Sequence, residues 1–170
     1  VSVQAHWGEY LPDWHPWEDY RSSYSAKREL GGGVLLTLCH PFDYLRFLFG
    51  EAESVSAMEG KSGLLKIDVE DTANVLLRFK SGIIGNIHLD YIQRPAEHFV
   101  RIIGQSGIIH FDYLKSRLDR NKMFLSEMQH FLSCIKGGKQ PKCTLDDGIA
   151  ALRIVLAAKQ SAQKRRVINL

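Results

Sequence analysis

What the chain lacks narrows it before what it contains. No run approaches the ~18 apolar residues a membrane-crossing helix needs, and no charged segment followed by an apolar one marks a secretion signal. The three cysteines, Cys39, Cys134 and Cys143, are far apart and form no C-x-x-C pair. That excludes a disulfide framework and a structural zinc, and it suggests reduced thiols in a cytoplasmic protein. Excess charge is slight, net +3 with a pI near 8.8, too little to imply a nucleic-acid partner. Lys164-Arg165-Arg166 is a short cluster suited to a solvated helix end. No G-x-G-x-x-G fingerprint occurs anywhere, so no dinucleotide-binding turn can be located. His88, His98 and His110 share no close ligand spacing, so they are read as solvated or hydrogen-bonded sheet residues and no metal is expected. An initiating Met is also lacking. The chain enters at Val1 directly into a strand-like alternation, which reads as a piece of a longer polypeptide.

Hydrophobic residues at 45% and charged ones at 24% describe a globular chain, and 170 residues suffice for one domain, 1–170, with its own core. The most ordered pattern runs from Gly31 to Gly50. Leu35, Leu38, Phe42, Leu45 and Phe49 step by three and four, the period of a helix with one apolar face. His40 and Asp43, three apart, share another face, and Pro41 should kink or break the helix there. Before it, residues 9–30 gather Tyr10, Trp14, His15, Trp17, Tyr20 and Tyr24 with Asp13, Glu18, Asp19 and Arg21, interrupted by Pro12 and Pro16. Such a loop serves as a binding wall, with aromatic faces for sugar rings and charged groups for hydroxyls, or as a satellite core pinning the loop down.

Beyond it, 52–59 reads as a strand, Asp71–Lys80 and Ile83–Tyr91 as a hairpin turning at Ser81-Gly82, and Phe99–Ile103 with Ile108–Phe111 as a second hairpin. Asn121 can cap a helix whose Phe124, Met128, Phe131 and Ile135 are at core spacing. Thr144 and Asp147 form a capping box opening a last helix with Ile149, Leu152 and Leu156 inward. Val167–Leu170 closes the chain as a short strand. Segregated strands and helices predict an α+β domain, a predominantly antiparallel open sheet with helices packed on one face.

The segment Gly-Gly-Gly-Val-Leu-Leu-x-Leu-x-His-x-x-Asp-Tyr-Leu-x-x-Leu-Phe-Gly (31–50) resembles the helix of the C-terminal domain of the Gfo/Idh/MocA oxidoreductases. Tyr10–Pro16 and Asp19–Ala26 are similar to a branch associated with sugar and surface-polysaccharide metabolism. Glu127-Met128-x-His130-Phe131, Asp146-Asp147-Gly148 and Ala157-Ala158-x-x-Ser161 also fit, so the likeness covers nearly the whole chain. It implies the dihydrodipicolinate-reductase-like C-terminal fold, joined in the whole enzyme to an N-terminal Rossmann domain, absent from this chain, that binds NAD or NADP. The implied reaction moves a hydride between nicotinamide and a sugar, nucleotide sugar or cyclitol, with this chain alone inactive.

In that likeness His40 occupies the position of the catalytic His, suited to acid–base work because an imidazole ordinarily titrates near neutral pH. Asp43 would orient it or cap local structure. Trp14, Asp19, Arg21 and Tyr24 would line the sugar site. There are two departures from the family pattern: Leu36 and Thr37 stand where many members carry an Asp, so Thr37 can offer only a hydroxyl, and Pro41 follows the His. The resemblance further implies a homo-oligomer built through the sheet face and no membrane or nucleic-acid partner. The other reading is a non-catalytic binding or oligomerisation module derived from the same family.

Overall fold

The computed structural model describes residues 1–170. Seven strands form one open sheet: β1 (Ser2–Gly8), β2 (Ala52–Gly60), β3 (Thr72–Phe79), β4 (Ile84–Asp90), β5 (Glu97–Gly104), β6 (Gly107–Asp112) and β7 (Ile168–Asn169), in the order β6-β5-β1-β4-β3-β2-β7. Every neighbouring pair is antiparallel except β1 and β4, which run parallel. The first strand of the chain thus enters the sheet between elements that follow it by some 80 to 100 residues, with Val3 opposite Gly85 and Ile102. Period-two alternation sorts the side chains. Val3, Ala5, Val55, Ala57, Val75, Leu77, Ile87, Leu89 and Val100 are buried on one face. The other face carries Gln4, His6, Asn74, Leu76, Asn86, His88, Phe99 and Arg101 and is uncovered.

The covered face packs under α1 (Val34–Thr37), α2 (His40–Phe49) and α4 (Leu145–Lys164). The 31–50 segment breaks as Pro41 predicts. The first helix stops at Thr37, Leu38 leaves helical geometry at φ −95° and ψ 43°, and the second starts at His40 with Pro41 in its first turn, where a missing N–H costs nothing. Leu35, Leu38, Phe42 and Leu45 are fully buried, as their spacing predicts, while Phe49 is half-buried. Residues 9–30 fold into four single 3-10 turns, two of them pinned by side-chain caps from Asp19 and Ser23.

Three sequence expectations need correction. The N-cap of α3 (Arg120–Gly137) is Asp119, whose carboxylate accepts from Lys122 N–H, and not Asn121. Phe124, Met128, Phe131 and Ile135 are not core: each is more than half exposed, and Cys134 is the one buried residue of α3, because no element of this chain covers its apolar rows. Ile149, Leu152 and Leu156 face outward on α4. Its inner row is Ala151, Ile154, Val155, Ala157, Ala158 and Ser161. Small side chains let α4 lie close on β2, where Ser161 Oγ accepts from Ala57 N–H at 3.0 Å and donates to the Arg166 carbonyl at 2.6 Å. The Thr144–Asp147 capping box forms as expected.

Candidate functional site

Construction of the site starts at the glycines. A Cβ on Gly32 would run into the carbonyls of Tyr24, Ser25 and Lys27. Gly33 has φ +106°, and a Cβ there would collide with the Glu70 carboxylate. That carboxylate accepts from Leu35 N–H at 3.4 Å, while the Glu70 carbonyl takes Val34 N–H at 3.1 Å. Lys159 of α4 completes the group, its Nζ 2.9 Å from Glu70 Oε1 and 3.8 Å from Glu59 Oε2. A glycine turn leading into a helix is a common phosphate cradle. Here a side-chain carboxylate fills that position, so the turn does not fit the phosphates of a dinucleotide.

α1 and its break set His40 at the start of α2 with its side chain exposed. Its imidazole makes no hydrogen bond within the chain and is placed by stacking: its ring centre lies 5.5 Å from that of Trp7, the planes 19° apart. Trp7 is fixed in turn by its indole N–H, which donates to Glu9 Oε1 at 2.8 Å, and by stacking on His98, its cross-strand partner, at 4.2 Å. His98 continues onto Tyr113 at 4.2 Å, and Tyr44 leans over both His98 and Tyr113. Burial, with smaller contributions from nearby His40 and His6, pulls the His98 imidazole down to about 4, so it is neutral at neutral pH. His98 Nε2 and the Tyr44 hydroxyl are buried without a partner, and burial pushes the Tyr44 phenol up.

Thr37 sits three residues before His40 at the end of α1, its hydroxyl buried and unpartnered. The Tyr91 hydroxyl is likewise buried and unpartnered; burial pushes its phenol up, making it a weaker acid, and the neighbouring Thr37 hydroxyl, short of a full hydrogen bond, partly opposes this. Trp14 meets Tyr91 edge-on at 5.5 Å, its own indole N–H buried without an acceptor. Asp43 makes no hydrogen bond to His40. It lies in the first turn of α2, where a carboxylate complements the helix dipole. Asp19 and Arg21 grip each other in two parallel bonds at 2.8 and 2.6 Å on the surface, and this partner holds the Asp19 carboxyl at about 2. Tyr24 is exposed.

The structure thus brings Thr37 and Trp14 together through Tyr91, and His40 onto Trp7. It joins Asp19 to Arg21 and leaves Asp43 apart from His40. Trp7, His98, Tyr44 and Tyr113 enter the cluster unannounced by the sequence: the 7/98 pairing is set by register between strands some 90 residues apart. A separate apolar recess of about 510 Å³ lies between α3 and Pro141–Cys143, and none of these residues lines it.

Comparison with known proteins places this arrangement. Residues 1–110 match the GFO/IDH/MocA C-terminal domain model, and residues 118–170 match the C-terminal alpha/beta domain of the oxidoreductase family. The chain belongs to the GFO/IDH/MocA family and is its C-terminal domain. It is similar to a myo-inositol 2-dehydrogenase of Thermotoga maritima, 31% identical over 83% of this chain and 50% of that protein. It is also similar to a 1,5-anhydro-D-fructose reductase of Ensifer adhaerens, 30% identical over 79% and 46%. The WlbA dehydrogenase of Bordetella pertussis, solved with NADH and UDP-GlcNAcA, shares the fold with a TM-score of 0.81 at 21% identity, over 100% of this chain and 56% of its own. The chain spans about half the length of the curated relatives it matches.

Proposed function

We propose that this chain is the substrate-holding and proton-moving part of an NAD-type oxidoreductase acting on a sugar, nucleotide sugar or cyclitol. The observation that carries the reading is His40: exposed, free of protein hydrogen bonds, and held in plane by Trp7. An imidazole so placed can take the proton of a substrate hydroxyl as its carbon is oxidised, or return it in the reverse direction. Trp7 supplies the orientation that Asp43 does not. Thr37, three residues before His40, keeps its unpartnered hydroxyl buried near Tyr91, and Trp14 and Tyr24, with the Asp19–Arg21 pair at the rim, stand as the substrate wall.

Hydride exchange belongs to the NAD or NADP cofactor, and with Glu70 filling the only glycine turn that leads into a helix here, the cofactor is assigned to a Rossmann domain outside these residues. In the full-length polypeptide, His40→Ala is expected to lower turnover by roughly 10²-fold or more, the usual scale of acid–base catalysis, with the circular dichroism spectrum retained. Steady-state kinetics with NAD(P) measure it. Unchanged turnover would remove the catalytic role and leave the non-catalytic binding module. The uncovered sheet face is proposed to join copies of the chain.

A further inference from the structure

The end of α4 carries a feature that the proposed reaction does not use. Lys164-Arg165-Arg166 closes the helix on the β2 side of the sheet, three strands away from the β1 that holds Trp7. Arg165 has φ 52° and ψ 42°, and it is the one residue other than glycine with a positive φ. A helix ordinarily ends in that conformation on glycine, which adopts it without strain. Here the position holds a guanidinium instead. Arg165 and Arg166 are both exposed, and neither side chain makes a hydrogen bond or an ion pair.

Between these residues and β2 lies a cleft of about 710 Å³, lined by Ser56–Glu59, Ala162 and Arg165–Val167. A single hydroxyl opens it. β7 pairs with β2 only at Ser54 and Val55. One step further the ladder would join Ala57 N–H to the Arg166 carbonyl directly. Ser161 Oγ stands between them instead, accepting from the first at 3.0 Å and donating to the second at 2.6 Å. Ala57 thus turns its N–H away from β3, and by the alternation of an antiparallel ladder Glu59 turns its N–H and C=O the same way. No strand lies beyond β2 at Glu59, so this stretch is an open sheet edge. Met58 beside it is 80% exposed, and Val167 across the cleft is 58% exposed. The one acid on the wall is turned aside: the Glu59 carboxylate is drawn to α4, its Oε2 buried and 3.8 Å from Lys159 Nζ.

An occupant of this cleft must supply backbone donors and acceptors, negative charge and some apolar surface together. A free phosphate or carboxylate would meet the guanidiniums and leave the edge of β2 and Met58 bare. An extended peptide meets all three needs. Its backbone pairs with Glu59, apolar side chains rest on Met58 and Val167, and its carboxylates accept paired N–H bonds from Arg165 or Arg166. We propose that this cleft is a docking site for an extended acidic segment of another protein, added to the sheet as a strand beyond β2.

Fluorescence anisotropy of the 170-residue chain with a fluorescein-labelled Val-Glu-Val-Asp-Val-Glu peptide tests this. Saturable binding that weakens as salt is raised is expected. The same peptide with lysine for its acids should not bind. A version with proline for two of its valines keeps the charge but loses strand N–H groups, and it should bind about tenfold more weakly. Arg165→Gly removes one guanidinium and suits the left-handed backbone. Its melting temperature should not fall, while its affinity for the acidic peptide drops about fivefold, the scale of one exposed ion pair. No binding of the acidic peptide, or equal binding of the lysine version, overturns the proposal. So does equal binding of the proline version, which would mean charge attraction only. Undiminished binding when Arg165→Gly is combined with Arg166→Gln overturns it too. A fall in the sedimentation mass of the chain on adding peptide would place a second copy on this edge, and would likewise overturn it.

Discussion

At His98 the chain encloses an imidazole between Trp7 and Tyr113 and leaves its Nε2 unbonded. The thermodynamic sign follows from the depressed value. The unfolded chain takes up a proton near the ordinary 6.5, whereas the folded one refuses it until about 4. Below 6.5 the unfolded state therefore binds more protons, and stability falls as pH drops from about 6.5 towards 4; above 6.5 this residue adds no slope. His98→Phe keeps an aromatic ring in the stack and removes the titration. Melting temperatures recorded from pH 7 to pH 4 should decline more steeply for the unaltered chain than for the variant, and parallel declines would contradict the assignment. Asp19 and Asp147, whose carboxyls are each held at about 2, cancel in that comparison. The neutral His98 also leaves His40 without a second positive charge beside it at working pH, which suits a proton acceptor.

The glycine turn shows at the level of elements how one buried carboxylate and its half-buried lysine partner organise several of them. Glu70 caps α1, receives Lys159 from α4, and leaves no room for a side chain at position 33. Gly31, at φ +78°, has nothing within 4 Å of where its Cβ would be. Gly31→Ala is thus expected to cost about 1 kcal/mol, the left-handed backbone penalty alone. Gly33→Ala adds displacement of the buried Glu70 carboxylate from its bonds to Leu35 N–H and Lys159 and is expected to cost about 3 kcal/mol. Urea denaturation of the two variants measures the difference, and equal losses would mean that Glu70 is not held as described. The sequence makes the turn, the break at Pro41 and the Thr144–Asp147 box legible because each is a local chemical constraint spanning a few residues. It hides Glu70, Trp7 and His98 because their partners are set by strand register and helix docking far along the chain. The α4 face is misread for a related reason. Both of its rows are apolar, and close approach to β2 selects the alanine-rich one, a choice that periodicity alone does not contain.

Across the whole molecule, the layering is legible from the segregation of strands and helices, while the parallel insertion of β1 between β4 and β5 is not, since nothing in residues 2–8 specifies partners 80 to 100 positions away. That insertion places β1 in the middle of the uncovered sheet face. It sets His6 against His88 at 4.9 Å and Phe99 at 5.1 Å, with His88 bonded to Asn74 at 2.9 Å and to Asp90 at 3.0 Å. Around this ordered aromatic row stand Met58, Leu76, Ile84 and Ile108, all nearly half exposed or more. A band of apolar and aromatic groups fixed in place by hydrogen bonds has the composition of a subunit interface core, where aromatic residues and Met are enriched and Lys and Glu depleted. Joining two such faces hides apolar surface that no helix of this chain covers. Leu76 lies on β3 opposite Ser56 and Asn86, inside the face and away from its edges. Leu76→Arg puts a charge there without touching the covered core. Sedimentation equilibrium should show the unaltered chain as an oligomer at micromolar concentration and Leu76→Arg as a monomer with an unchanged circular dichroism spectrum. A monomeric unaltered chain, or an oligomer indifferent to Leu76→Arg, would locate any self-association elsewhere.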